Sequence, residues 1–198
     1  MKPSIVNIVG KKVALGPLER EHAQGLNTWL NNYSVVKMLD FVPGPRVLAQ
    51  AEQLLDEFVG ASETHAFAIY ERSTWNHIGL SVLFQIDHVD KTAEIGITIG
   101  DVAAQGRGYG TEATILTLDH GFTALGLQNI MLNVYEYNYP AIHIYEKLGF
   151  RTIGTRRKSK QMGGRFRDTI YMEMLADDID DGRFRFWLTL QRIALSRS

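Results

Sequence analysis

Apolar and polar positions along this chain alternate with the period of strands in the middle and recur with the period of helices on either side. Ile95, Ile97 and Ile99 point one way while Glu94, Gly96 and Thr98 point the other, so Ala93 to Ile99 reads as a half-buried strand. Two more strands precede it, Ala66 to Glu71 and Ile78 to Ile86, joined by polar turns around Ser73 to Asn76 and Asp87 to Lys91. Strands linked so closely predict an antiparallel meander. Upstream, Lys12 to Leu18 reads as a first strand ending at Gly16-Pro17, and Glu19 to Leu30 carries Ala23, Leu26, Trp29 and Leu30 at helical spacing. A short helix through Val35 to Leu39 and a longer one from Val47 to Phe58 come next. They are separated by the loop Phe41 to Arg46, where two prolines flank a glycine.

Downstream, Ile115, Leu118, Phe122 and Leu125 form a helical stripe that Gly126 is placed to end. Asn129 to Glu136 is a strand. Asn138 can cap the next helix, Pro140 is tolerated in its first turn, and Ala141, Ile144, Tyr145 and Leu148 continue it to Gly149. Phe150 to Thr155 and Thr169 to Leu175 read as strands around a polar hairpin at Gly163-Gly164. No internal repeat or low-complexity tract interrupts this order.

The most informative segment joins the alternating strand to the first of these later helices: Gln105-Gly106-Arg107-Gly108-Tyr109-Gly110-Thr111-Glu112. Alternate glycines let a backbone approach a ligand closely and turn its N–H groups outward. At a helix N-terminus those donors favour an anion, so the local chemistry is that of a phosphate or pyrophosphate cradle. A Walker loop fails, because Gly110-Thr111-Glu112 stands where Gly-Lys-Ser/Thr is needed. A dinucleotide fingerprint fails too, since Thr111 occupies its third glycine position and the preceding strands are a meander. A Gln/Arg-x-x-Gly-x-Gly/Ala pattern is met by Gln105, Gly108 and Gly110. Taken alone, the loop also reads as a glycine-rich turn capping a helix.

With that pattern the chain resembles the GNAT-superfamily N-acetyltransferases, whose loop of this kind holds the pyrophosphate of acetyl-coenzyme A. The run Asn138-Tyr139-Pro140-Ala141-Ile142-His143-Ile144-Tyr145-Glu146-Lys147-Leu148-Gly149-Phe150 resembles the family's second motif, in the right order after the first. The likeness extends to about Leu175. It implies an α+β domain over residues 1–176, with a mixed, mainly antiparallel sheet flanked by helices; 177–198 is then a C-terminal extension. It also implies that Gln105, Gly106, Arg107, Gly108, Tyr109, Gly110 and Thr111 hold the cofactor. The strand carrying Ile97, Thr98 and Ile99 is expected to splay from Asn129–Glu136 and admit the pantetheine arm as a pseudo-strand. Asn138 is expected to contact that arm.

Tyr145 lies nearly two helical turns beyond Asn138 and so projects from the same face. In the family a tyrosine here lies near the thioester sulfur, and a phenol with a pKa of about 10 can protonate a departing thiolate. Tyr145 is therefore the candidate general acid; its other reading is a core tyrosine. An ammonium acceptor must lose a proton before it attacks, and Glu94 leads as base, since its offset from Gln105 resembles that of the base glutamate in histone-acetylating relatives. A strand-edge carboxylate with a structural partner is an equal alternative. His88, His143 and His65 are weaker candidates, and Asp168 is a turn residue or an acceptor contact.

Composition narrows the classes. The chain of 198 residues has 45% hydrophobic and 22% charged residues, ordinary values for one globular domain. A net charge of −1 gives no support to binding nucleic acid or a membrane in bulk. The basic run Arg156-Arg157-Lys158, with Lys160, Arg165 and Arg167, reads as a solvated hairpin. With no cysteine there is neither a disulfide nor a thiolate nucleophile, so transfer is expected to be direct, in a reducing cytoplasm, with no metal. Apolar residues from Phe184 to Leu195 are expected to pack on their own domain or on a second subunit, giving a homodimer.

The acceptor stays broader. Val13-Ala14-Leu15-Gly16-Pro17-Leu18-Glu19-Arg20-Glu21 resembles the branch acetylating ribosomal-protein N-termini, and Phe122 to Leu127 with Ala141 to Phe150 resembles spermidine acetyltransferases. Both imply a primary amine: a protein N-terminus, a polyamine or another small amine. Phe41 to Arg46 is expected to form part of the acceptor wall. The helix bearing Glu52, Asp56 and Glu57 either lines an acidic pocket or is an ordinary exposed face. A catalytically silent acyl-CoA-binding sensor is the alternative function.

Overall fold

A computed structural model describes residues 3–39 and 41–181. Eight strands form one sheet in the order β1-β2-β3-β4-β5-β6-β8-β7. They are β1 Ile8–Val9, β2 Val13–Pro17, β3 His65–Glu71, β4 His77–Asp87, β5 Thr92–Ile99, β6 Asn129–Tyr135, β7 Arg151–Met162 and β8 Arg165–Leu175. The helices are α1 Ala23–Leu30, α2 Tyr33–Val36, α3 Leu48–Gly60, α4 Tyr109–Asp119 and α5 Tyr139–Leu148. Every neighbouring pair is antiparallel except β5 and β6. This is the mixed, mainly antiparallel α+β sheet that the resemblance implied, and of the expected extension 177–198, residues 182–198 lie outside the described residues.

Strand alternation sorts the core onto two faces. Ala68, Tyr70, Leu80 and Val82 meet α1, α2 and α3 through Leu26, Trp29, Leu30, Val35 and Leu55. On the other face Val13, Leu15, Ile69 and Ile78 pack under α4 through Tyr109, Ala113 and Leu116. Further along, Ile95, Ile130, Leu132 and Met172 meet both Leu118 of α4 and Tyr145 and Leu148 of α5.

Three departures from the sequence reading have local causes. The edge strand β1 is two residues long, too short to leave a pattern. The stripe from Ile115 to Leu125 is not one α-helix, because His120–Ala124 forms a π-turn. There Gly121 meets the sheet so closely that a Cβ would lie 2.7 Å from Ile130 Cδ1. The last hairpin is longer than its apolar positions suggest, since both arms run on through polar, exposed residues.

Two buried polar groups stand out within this packing. The Glu112 carboxylate, in the first turn of α4, accepts N–H bonds from Lys11 (2.5 Å), Lys12 (2.7 Å) and Val13 (3.2 Å). It thereby ties the β1–β2 turn to the helix that begins at the glycine loop. Beneath α1, His77 packs at a tilt against His22 (4.4 Å between centroids, 60°) and Trp29 (4.8 Å, 47°), with its Nε2 sealed from solvent and unbonded. Burial, reinforced by the neighbouring His22, pushes the His77 pKa down to about 3.

Each of these groups has a measurable consequence. Glu112→Ala leaves three N–H donors unpaired, one buried and two part-buried, and should cost about 1–3 kcal/mol in urea unfolding; a loss under about 0.5 kcal/mol would show that the anchor is dispensable. For His77 the folded pKa lies below the unfolded value of about 6.5, so its contribution is complete above that pH. It declines as pH falls toward 3, because the unfolded chain binds the proton first. The urea midpoint should therefore fall between about pH 7.5 and 5.5, and His77→Phe should make that fall shallower; an identical slope in the variant would contradict it.

Candidate active site

The site begins where β5 and β6 part. Their parallel register holds at Thr92↔Asn129, Ala93↔Ile130 and Glu94↔Met131 and then stops, although β5 runs on to Ile99 and β6 to Tyr135. Beyond Glu94 the two strands no longer pair, so backbone groups along 95–99 face a gap rather than a neighbour. Ile97, Thr98 and Ile99 therefore line the fork expected of them.

A cleft of about 720 Å³ runs through this fork. One end is bounded by Gln105, Gly106, Gly108, Tyr109, Gly110 and Thr111, and by Asn138 and Tyr145 of the α5 segment. The glycine loop is bent by left-handed residues, Gly106 at φ +72° and Gly108 at φ +82°, which L side chains resist. Gly108 is also the N-cap of α4, so the helix starts directly at the bend and its first N–H groups have no intrahelical partner. Gln105 Nε2 donates to the Ile99 carbonyl at 2.8 Å, fastening the loop to the end of β5. The open, donor-rich bend beside a 720 Å³ groove fits a diphosphate and an extended arm.

Arg107 and Tyr109 do something different with their side chains. Arg107 does not border the cleft; its guanidinium lies 3.2 Å from Glu71 Oε1 and 5.2 Å from the Tyr109 ring centroid. The Tyr109 hydroxyl donates to the same carboxylate. That bond, a second from Thr74 and the Arg107 charge hold Glu71 below the usual carboxylate range. Arg107 thus lies outside the cleft lining, while Tyr109 borders the cleft and ties the loop to Glu71 through its hydroxyl. Lys12, unnoticed in the sequence, donates from Nζ to the Arg107 carbonyl at 3.1 Å, adding a cation to the loop's edge.

Asn138 caps α5, its carbonyl accepting from Ala141 N and Ile142 N at 3.1 Å each. Tyr145 stands over Phe150 edge-to-face, with centroids 5.6 Å apart. Burial drives its phenol pKa up to about 12, so it stays protonated at neutral pH. Glu94 is the last paired residue before the fork, half-buried on the sheet face of Phe84 and Thr98. Burial raises its pKa, and interaction with the Asn133 side chain opposes the rise. Asn133 itself lines the cleft, whereas Glu94 stands behind it. The sequence held a signal for Asn133, a polar residue alternating with buried Leu132 and Val134, but its link to Glu94 needed the strand pairing.

The other histidines lie elsewhere or do other work. His65 Nδ1 and His120 Nε2 bond to each other at 2.9 Å across β3 and the π-turn. His88 sits after β4 in an exposed turn, and His143 borders the cleft from α5. Asp168 accepts from Lys158 N at 2.8 Å and so holds the bulge of the last hairpin. No metal-ligating cluster of three or more His, Asp or Glu occurs among the described residues. No described helix is long and apolar enough to cross a membrane.

Known proteins share this arrangement. A family model described as an acetyltransferase (GNAT) domain matches residues 12–151. Spermidine N(1)-acetyltransferase of Escherichia coli K12 is 34% identical over 160 residues, covering 81% of this chain and 84% of that protein. Human alpha/beta-tubulin-N-acetyltransferase 9 is 26% identical over 160 residues, covering 75% of this chain and 76% of its own. Among solved structures, Vibrio cholerae spermidine N-acetyltransferase in complex with CoA and spermine superposes with a TM-score of 0.78 at 27% identity. That match covers 85% of this chain and 98% of the other. The chain belongs to the GNAT acetyltransferase family and is an acetyl-CoA-dependent N-acetyltransferase.

Proposed function

We propose that the protein moves the acetyl group of acetyl-CoA directly to a primary amine in the fork between β5 and β6, with Tyr145 as general acid and Glu94 as base. The observation that supports this most is the single cleft shared by the glycine loop, Asn138, Tyr145 and Asn133. The loop amides and the α4 N-terminus take the diphosphate; the unpaired backbone of 95–99 takes the amides of the extended arm. Glu94, with its raised pKa and Asn133 between it and the cleft, accepts the ammonium proton through a water. The neutral nitrogen then attacks the thioester carbon. As the tetrahedral oxyanion collapses, the C–S bond breaks, Tyr145 delivers its proton to the leaving sulfur, and the proton that the attacking nitrogen sheds on becoming an amide restores the phenol. The absence of cysteine supports a direct route without an acyl-enzyme. A protein N-terminus, a polyamine and another small amine are the candidate acceptors of this reaction, and a homodimer belongs with the same proposal.

Tyr145→Phe should lower kcat by about 10²-fold or more, the scale of one acid–base group, while calorimetric CoA affinity changes less than about three-fold. Parallel losses in both would make Tyr145 a binding residue. Glu94 must be ionised to act, so kcat/KM should fall as pH drops through a pKa above the ordinary carboxylate value of about 4.3. Glu94→Gln should be slow and lack that acid limb; a variant that keeps the limb would point to another base.

A further inference from the structure

The acceptor end of the cleft has a chemistry that its relatives' polyamine does not match. Beyond the fork the cleft passes under α1, α2 and α3, where Met38, Leu39, Phe41, Leu54, Phe58 and Phe84 border it, each half-buried and so still open to an incoming group. Trp29 forms the floor, pressed so near β5 that a Cβ on Gly100 would lie 2.0 Å from its ring. No aspartate or glutamate is among the described residues of the lining, although Asp40, between Leu39 and Phe41, lies outside the described residues. The acidic face of α3 does not reach the cleft: Glu52, Asp56 and Glu57 are exposed, with Asp56 paired to Arg20 at 2.6 Å.

Basic side chains flank the aromatic residues at the cleft's edge, where the Arg167 guanidinium also lies 3.5 Å from Glu136 Oε1. Tyr135 borders the cleft, and Lys160 Nζ lies 5.3 Å from its ring centroid. Tyr135 stacks on Tyr137 (5.5 Å, 13°), which in turn carries the Arg167 guanidinium at 5.7 Å. The last hairpin also closes over α2, where the Tyr33 hydroxyl meets Met162 Sδ at 3.6 Å. A polycation entering here would exchange water for apolar walls, with no carboxylate among the described lining residues to receive its distal ammonium groups.

Resting on the acetyl-transfer reading, we infer that the acceptor is a primary amine borne on a bulky apolar group, and that polyamines are selected against. Apolar walls discriminate by excluded water, and each added methylene changes specificity by about ten-fold or more. Two sources share this chemistry, an arylalkylamine and a peptide whose first residue is large and apolar.

CoA release from acetyl-CoA tests this with phenethylamine, ethylamine, spermidine, and tripeptides beginning with Phe or Gly. The expected result is a kcat/KM at least about ten-fold higher for phenethylamine than for ethylamine, for the Phe peptide than for the Gly peptide, or for both. Spermidine should fall at or below ethylamine. A preference in one arm alone supports the proposal and names the source. Phe41→Ala should lower the bulky-to-small ratio by about five-fold or more, and Phe41→Glu should shift the ratio toward spermidine. Spermidine preferred by the unmodified protein would overturn the inference, and loss of that preference in Asp40→Asn would assign the site to a polycation. Hexanoyl-CoA outpacing acetyl-CoA with ethylamine would also overturn it, giving the apolar walls to the acyl chain. No turnover of any amine by protein that binds CoA would instead overturn the acetyl-transfer reading beneath it.

Discussion

A parallel strand pair that stops pairing is the constraint on which this molecule depends. Unpaired backbone groups inside a sheet are costly unless water or a ligand satisfies them. Here β5 keeps its register with β4 as far as Ile99 but loses β6 after Glu94. The sheet therefore splits into two wings, β1 to β5 and β6 with β8 and β7, joined by three residue pairs and by the helices across them. The fork is both a weak seam and a slot of strand-like shape. A ligand with regularly spaced amides can complete the sheet there, so the cleft recognises backbone geometry rather than a particular side chain.

The slot is useful only if its rim is rigid, and buried electrostatics supplies that. Glu112 is held by the β1–β2 turn, Glu71 by Tyr109 and Thr74, and Gln105 by the end of β5. Two carboxylates thus engage donors beside the glycine loop and fix its flanks. Loop donors fixed in this way need little reorganisation when an anion arrives. The same logic explains why Arg107, which its sequence position would assign to a phosphate, is bound to Glu71. In the proposed site the bend's own N–H groups and the start of α4 remain for the anion.

What the sequence made legible was local. The glycine loop, the Asn138 cap and the face shared by Asn138 and Tyr145 each depend on residues within a few positions of one another. The α+β meander was legible for the same reason, since its turns are short. The groups that sequence reading missed act across long separations. Glu112 reaches the turn around Lys11, Asn133 meets Glu94 only because β5 and β6 start in register, and Trp29 covers Gly100 from another layer. The apolar character of the acceptor end was also hidden. Met38 after α2, Leu54 of α3 and Phe84 of β4 are far apart in sequence, and only the fold aligns them on one wall.

The central claim is that the gap between β5 and β6 is completed by the thioester carrier. Amide hydrogen exchange of segment 95–101, with and without CoA, tests it most directly. Protection should rise there and across 105–111 together when CoA is added, while the paired β3–β4 amides change little. Protection confined to the glycine loop, with 95–99 exchanging as fast as in the free protein, would contradict the account.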